Sequence, residues 1–362
     1  MTTAPRLRRQ RRRSRAAGQP GSRAAGQPGS RDEGARRGGD RRGRRWADWP
    51  ATTAARPARR PVRPVTATLT CGYDPSHRHP VKCWPRSPVL CWGEAMVEPT
   101  AREVTVPSGS LAVRTWSAAA PRWIALLAHG YGEHSGRYQW VAQQLVGAGA
   151  FVCAPDHVGH GNSPGERVLF SDADDVVADL DAVRREISAE HPGLPVVLIG
   201  HSLGGMLATR YAQLHQDELA AVVLSAPVLG TWHALDLLEA EEIPETPIDP
   251  ATLSRDPQVG RDYADDPLVW HGAFKRTTLA AIDECLTRIN EGVTLRVPAL
   301  WIHGEDDELV PEADTRTGID RIRGYSFHEH IYPGGRHELF NETNKAEVMG
   351  DVLTFVGREL NT

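Results

Sequence analysis

The chain has 362 residues, 40% of them hydrophobic, enough for one large or two small domains with a real core. The formal net charge of -4 conceals a division: residues 1–95 carry 22 Lys+Arg against 6 Asp+Glu, and the remainder carries 20 against 40. The 5 cysteines suggest no disulfide framework, no apolar run approaches a membrane span, and no apolar h-region follows the arginine-rich start, so a reducing, cytoplasmic setting is expected.

Residues 1–95 are rich in Arg, Gly, Ala and Pro, and contain an octapeptide, Arg15 to Ser22, repeated as Arg23 to Ser30. Such a stretch cannot bury enough apolar area to offset its chain entropy, and it is expected to be disordered. Met96 is the first methionine after Met1, and an ordered pattern begins just beyond it. The segment therefore reads either as upstream sequence outside the translated protein or as a basic tail. Cys71, His77, His79, Cys83 and Cys91 match no paired C-x-x-C spacing, and no metal is expected there.

From Met96 the reading is α/β. Arg102 to Val106 and Leu111 to Trp116 alternate apolar and polar residues around Pro107-Ser108-Gly109, a hairpin signal. Trp123 to Ala128 is a continuous apolar strand, of the kind covered on both faces, and it ends in His129-Gly130. Tyr138, Val141, Leu145 and Ala148 follow at helical spacing. Phe151 to Ala154 is the next strand, and a helix starts after Ser171 and stops at His191-Pro192-Gly193. Val196 to Ile199 is a strand running into Gly200-His201-Ser202-Leu203-Gly204 and then an amphipathic helix, and Ala221 to Ser225 is a further strand.

Residues 228–297 break this rhythm with prolines and acidic runs, and read as a cap insertion with helices at Trp232 to Ala240 and Phe274 to Asn290. The alternation resumes with a strand at Ala299 to Ile302, a helix at Glu312 to Ile322, a strand at Ser326 to Tyr332 and a last helix from about Thr343. The expectation is an α/β fold with a mostly parallel, doubly wound eight-stranded sheet. Its core would be 96–227 and 298–362.

A strand, a sharp turn and a helix around G-x-S-x-G is the context of a nucleophile elbow, with Ser202 at its tip. A serine nucleophile needs a base, and the base needs an orienting carboxylate. His337 lies in the loop after the last strand and is the expected base, whereas His328 and His330 lie within that strand. For the carboxylate, the loop after Ile302 offers both Asp306 and Asp307. Backbone N–H groups of Leu203, just after the nucleophile, and Tyr131, after the Trp123 strand, are placed to hold an oxyanion. This chemistry requires neither cofactor nor metal.

The blocks His129 to Tyr138, Asp156 to Ser163, Gly165-Glu166-Arg167, Gly200 to Gly205, Leu253 to Pro257, Tyr263 to Leu268 and Gly334 to Glu342 resemble the monoacylglycerol lipase and lysophospholipase branch of the α/β-hydrolases. The resemblance covers roughly residues 104–360. In that family pattern the acid lies three residues after the glycine ending its strand, which selects Asp307 over Asp306. The resemblance also implies that Glu133, His134, Arg137 and Tyr263 read the glycerol head. The expected activity is serine-dependent cleavage of monoacylglycerols. A lysophospholipase or general carboxylesterase is the enzymatic alternative, and a scaffold or nucleic-acid binder acting through the basic tail is the non-enzymatic one. Nucleic acid is not the expected partner. The cap departs from many relatives in its short, strongly acidic opening, Trp232 to Glu245, which implies weak or no contact with anionic membranes. The sequence is silent on oligomeric state.

Overall fold

Strand β3 (Trp123–Ala128) shows how the chain divides its apolar side chains. Ile124, Leu126 and Ala128 enter one hydrophobic cluster, and Trp123, Ala125 and Leu127 enter the other. A strand alternates faces with a period of two, so an uninterrupted apolar run implies burial on both sides. Strands β4 (Ala150–Pro155) and β5 (Val196–His201) divide in the same way, with Cys153 and Leu198 on the first face and Val152 and Ile199 on the second. The structure is a computed structural model that describes residues 97–245 and 248–361. The basic segment, with its repeat, cysteines and histidines, lies outside the described residues, as does the assignment of residues 1–95 as disordered.

The sheet has eight strands in the order β1-β2-β4-β3-β5-β6-β7-β8, with β1 as Thr100–Val106, β2 as Gly109–Ser117, β6 as Ala221–Ser225, β7 as Ala299–Gly304 and β8 as Phe327–Tyr332. Strand β2 is antiparallel to β1 and β4, and the other pairings are parallel. Helices α1 (Gln139–Gly147) and α7 (Lys345–Glu359) cover one face through Val141, Leu145, Val352 and Phe355. Helices α2 (Ala173–Glu190), α3 (Leu203–His215) and α6 (Glu312–Ile322) cover the other. The chain leaves β3 for β4 on one side and returns to β5 on the other. The crevice beyond the carboxyl ends of β3 and β5 is thus the switch point at which open α/β sheets bind ligands.

The segment between β6 and β7 departs from expectation in three ways. The helix expected over Trp232 to Ala240 is a 3-10 helix, His233–Glu239. No side chain caps its start, and carbonyls of Leu238 and Ala240 accept from the Arg276 guanidinium at 2.6 and 2.5 Å. An unexpected helix, α4 (Pro257–Asp265), forms behind an Asp256 cap that accepts from the Gln258 N–H, with Pro257 opening the helix. Finally, α5 (Arg276–Glu291) falls within the span expected as cap but buries Ile282, Cys285, Leu286 and Ile289 in the cluster shared with α2 and α3. By packing it belongs to the core layer, which leaves roughly 228–275 as the covering segment.

Candidate active site

The site begins with a strained turn. Ser202 joins β5 to α3 at φ 55° and ψ -119°, a left-handed backbone conformation that a residue with a side chain rarely adopts. Its N–H is held by the Ser225 carbonyl at 2.9 Å. A Cβ on Gly200 would lie 2.2 Å from the Gly204 carbonyl oxygen, and one on Gly204 would lie 2.1 Å from that of Ala128. Glycine at both positions is therefore a steric requirement of bringing strand and helix this close. Leu203 opens α3, so its N–H is among the first-turn donors with no partner inside the helix.

His337 and Asp307 come from the loops after β8 and β7. His337 Nδ1 lies 2.7 Å from Asp307 Oδ2, and both side chains are buried. A carboxylate can only accept, so the imidazole proton sits on Nδ1 and Nε2 is left as the basic nitrogen. Asp307 Oδ1 accepts from the N–H groups of Leu309 and Val310 at 3.0 and 2.9 Å. Asp306 is exposed, its N–H engaged by the Gly335 carbonyl. Burial by itself would raise the Asp307 carboxyl, but the His337 and His303 imidazoles more than reverse this and hold it well below the usual carboxylate range. Burial likewise pulls the His337 imidazole down, and the Asp307 charge, aided by Glu338 and Glu133, carries it above its ordinary value.

The loop after β3 is fixed by a buried ionic brace. Glu133 Oε1 accepts from the Gly130 N–H and the Tyr138 hydroxyl, each at 2.7 Å, and Oε2 accepts from Arg137 at 2.8 Å. Arg137 then reaches Glu338, beside His337, with two bonds of 2.6 and 2.8 Å. One guanidinium thus ties the loop after β3 to the loop after β8 that carries His337. Gly130 lies so close to Ser202 that a Cβ there would be 3.3 Å from the Ser202 Cβ.

The expected head-group residues divide by environment. Glu133, Arg137 and Tyr263 line a cavity of about 420 Å³ that also contains Tyr131, Ser202, His337 and Glu338. Arg137 lies over the Tyr263 ring at 5.2 Å. His134 is not among the lining residues: its Nδ1 accepts from the Gly136 N–H, and its Nε2 pairs with Asp266 at 2.8 Å. It fastens the loop to the covering segment, as does the Trp270 N–H on the Gly132 carbonyl at 2.7 Å. Leu237, Ile248, Leu253 and Leu309 line the apolar part of the cavity, with Trp232 and Phe274. Phe274 stacks on Tyr131 with ring centroids 4.7 Å apart.

Sequence reasoning did not single out Glu338, His201, His303 or the aromatic pair Trp232 and Phe274. Glu338 had a visible signal, an acidic residue directly after the base, but its partner Arg137 is 201 positions away. His201 lies with its ring centroid 4.8 Å from that of His337. Burial and the neighbouring His337 push His201 down to about 4, so it is neutral beside the base.

Fold and site together define an α/β-hydrolase with a serine on its nucleophile elbow. Residues 119–344 match the family described as serine aminopeptidase, S33, and the chain belongs to that family. It is 36% identical over 251 residues to the monoacylglycerol lipase of Mycolicibacterium smegmatis, a match covering 65% of this chain and 88% of that protein. Against human monoglyceride lipase it is 31% identical over 253 residues, covering 67% of this chain and 82% of that one. The solved structure of Paleococcus ferrophilus monoacylglycerol lipase superimposes with a TM-score of 0.62 at 26% identity, over 69% of this chain and 99% of that chain.

Proposed function

We propose that the protein hydrolyses monoacylglycerols to fatty acid and glycerol through an acyl-enzyme on Ser202. The observation that carries this reading is the cavity itself, which joins Ser202 and His337 to an apolar wall and to the Glu133–Arg137–Glu338 brace. In the proposed cycle Ser202 Oγ attacks the ester carbonyl carbon while His337 Nε2 takes its proton. The N–H groups of Tyr131 and Leu203 hold the oxyanion, and Asp307 stabilises the imidazolium. The ester C–O bond then breaks, and the glycerol oxygen leaves with the proton from His337. Water, deprotonated by His337, attacks the acyl carbon, and the fatty acid departs as Ser202 recovers its proton.

The charges favour a neutral head group over a phosphate. Arg137 is already engaged by two carboxylates, so the brace carries a net negative charge and offers no free cation to an anionic lysophospholipid. The covering segment exposes Asp236, Glu239, Glu241, Glu242 and Glu245, which should keep the protein from docking strongly on anionic lipid. No helix among the described residues is long and apolar enough to cross a membrane. Cys153 and Cys285 are buried free thiols, in keeping with a reducing compartment. A panel of monoacylglycerols, lysophospholipids and short-chain esters on the purified protein tests the reading. The expected order places monoacylglycerols first in kcat/KM, and a preference for lysophospholipids would refute it.

A further inference from the structure

The ends of β7 hold a buried polar chain that the hydrolytic cycle above does not use. Trp301 and His303 are both fully buried on this strand. The Trp301 indole N–H donates to His303 Nδ1 at 3.1 Å. An indole nitrogen can only donate, so His303 Nδ1 is an acceptor and the imidazole proton lies on Nε2. That N–H points to the Val310 carbonyl oxygen at 2.7 Å, and the same nitrogen lies 3.3 Å from Asp307 Oδ2. Val310 in turn donates its own N–H to Asp307 Oδ1 at 2.9 Å. The chain therefore closes on the triad carboxylate from both sides. One oxygen is reached through the Val310 backbone, and the other, which accepts the His337 Nδ1–H, is faced by His303.

We propose that His303 is a positioning residue for Asp307, locked by Trp301 in the tautomer whose single Nε2–H holds the Val310 carbonyl and so fixes the backbone that donates to the carboxylate serving His337. This rests on the assignment of Ser202, His337 and Asp307 to the reaction but not on any particular head group. A buried carboxylate whose backbone donors are less firmly held becomes more basic and less well oriented. It then holds the His337 proton more tightly and aims the imidazole less well. The groups that set the His337 protonation are Asp307, Glu338 and Glu133, with neutral His201 beside it.

The test is steady-state hydrolysis of a soluble chromogenic ester, p-nitrophenyl butyrate, as a function of pH on the full chain. His303→Leu should lower kcat by about tenfold, the upper range for a single neutral hydrogen bond, with KM little changed because His303 does not line the cavity. Its acid limb should move to higher pH. His303→Gln supplies an amide oxygen for Trp301 and an amide N–H for Val310, and should recover both kcat and the limb to within about threefold of wild type. A folded His303→Leu with wild-type kcat and an unmoved limb would overturn the proposal. So would His303→Gln as impaired as His303→Leu, since packing rather than the donor would then be at work. If the leucine variant does not fold, the ¹⁵N spectrum of histidine-labelled wild-type protein at pH 8 decides. The Nε2–H tautomer at His303 is expected, and an Nδ1–H tautomer contradicts it. Ser202→Ala in the same assay separates the two levels: turnover there within about tenfold of wild type would sink the triad reading itself, whatever His303 does.

Discussion

The two sides of the cavity are built on different principles. The core side is over-determined. Ser202 sits on a turn that two glycines make possible, Asp307 has both oxygens engaged, and Arg137 bridges the loop after β3 to the loop after β8. The covering side, roughly residues 228–275, consists of short helical turns, prolines and exposed carboxylates held by a few links such as Arg276 on the Leu238 and Ala240 carbonyls. Catalysis needs groups fixed to within a fraction of an ångström, whereas an acyl chain needs only an apolar wall of adequate size. Substitutions on the first side should therefore act on kcat and stability, and those on the second on KM and surface behaviour.

The largest expected effects test the fixed side. Ser202→Ala and His337→Ala should each lose on the order of 10⁴-fold or more in kcat, because triad members act as a unit. Asp307→Asn should lose several hundred-fold or more on the same precedent, roughly, while Asp306→Asn should cost little because its carboxylate is exposed. Kinetics on one soluble monoacylglycerol, with folding checked by circular dichroism, would reverse the assignment of the acid if Asp306→Asn were the crippled variant.

Next comes the brace. The Arg137 side chain is 9% exposed, and Arg137→Leu strands two buried carboxylates. The expected loss is about 3 kcal/mol of stability, or roughly 10 °C in Tm, together with a fall in kcat. A variant that melts like wild type would show that the brace is dispensable.

The pH dependence follows from the raised His337 imidazole. The base works only when neutral, and its partner Asp307 keeps it protonated to higher pH than an ordinary histidine. The acid limb of kcat/KM should thus lie above about 6.5. A limb below that value would mean that burial outweighs the Asp307 charge.

The smallest expected effect lies on the covering side. Replacing Glu239, Glu241, Glu242 and Glu245 together by Gln should leave kcat on a soluble ester within about twofold, since none of them lines the cavity. Binding to anionic vesicles should rise, at up to about 1 kcal/mol per charge near the surface. Flotation assays that show strong binding by the unmodified protein would remove the charge argument.

Legibility in the sequence followed the same division. Strands β3, β5, β6 and β7 were readable because continuous apolar runs admit few alternatives in an α/β chain, and α1 was readable from the helical spacing of Val141 and Leu145. The elbow was legible because its chemistry is local: glycine, serine and glycine within five residues of a strand. Asp307 was not separable from Asp306 by residue chemistry, because what distinguishes them is burial against a histidine 30 positions later. The covering segment was misread where propensity competes with capping. Trp232 to Ala240 has helical composition but no side-chain cap at its start, and α4 is announced by the Asp256 cap and Pro257 with only Tyr263 buried on its face. The core role of α5 was hidden because a helix facing a core and one facing a cap present the same apolar stripe.

The central claim is that Ser202 carries the acyl group. Intact-mass and peptide mass spectrometry after treatment with a fluorophosphonate ester tests it most directly. One adduct on Ser202 is predicted, with complete loss of esterase activity and no labelling of Ser202→Ala. Labelling at another residue, or turnover that survives stoichiometric modification of Ser202, would contradict the account.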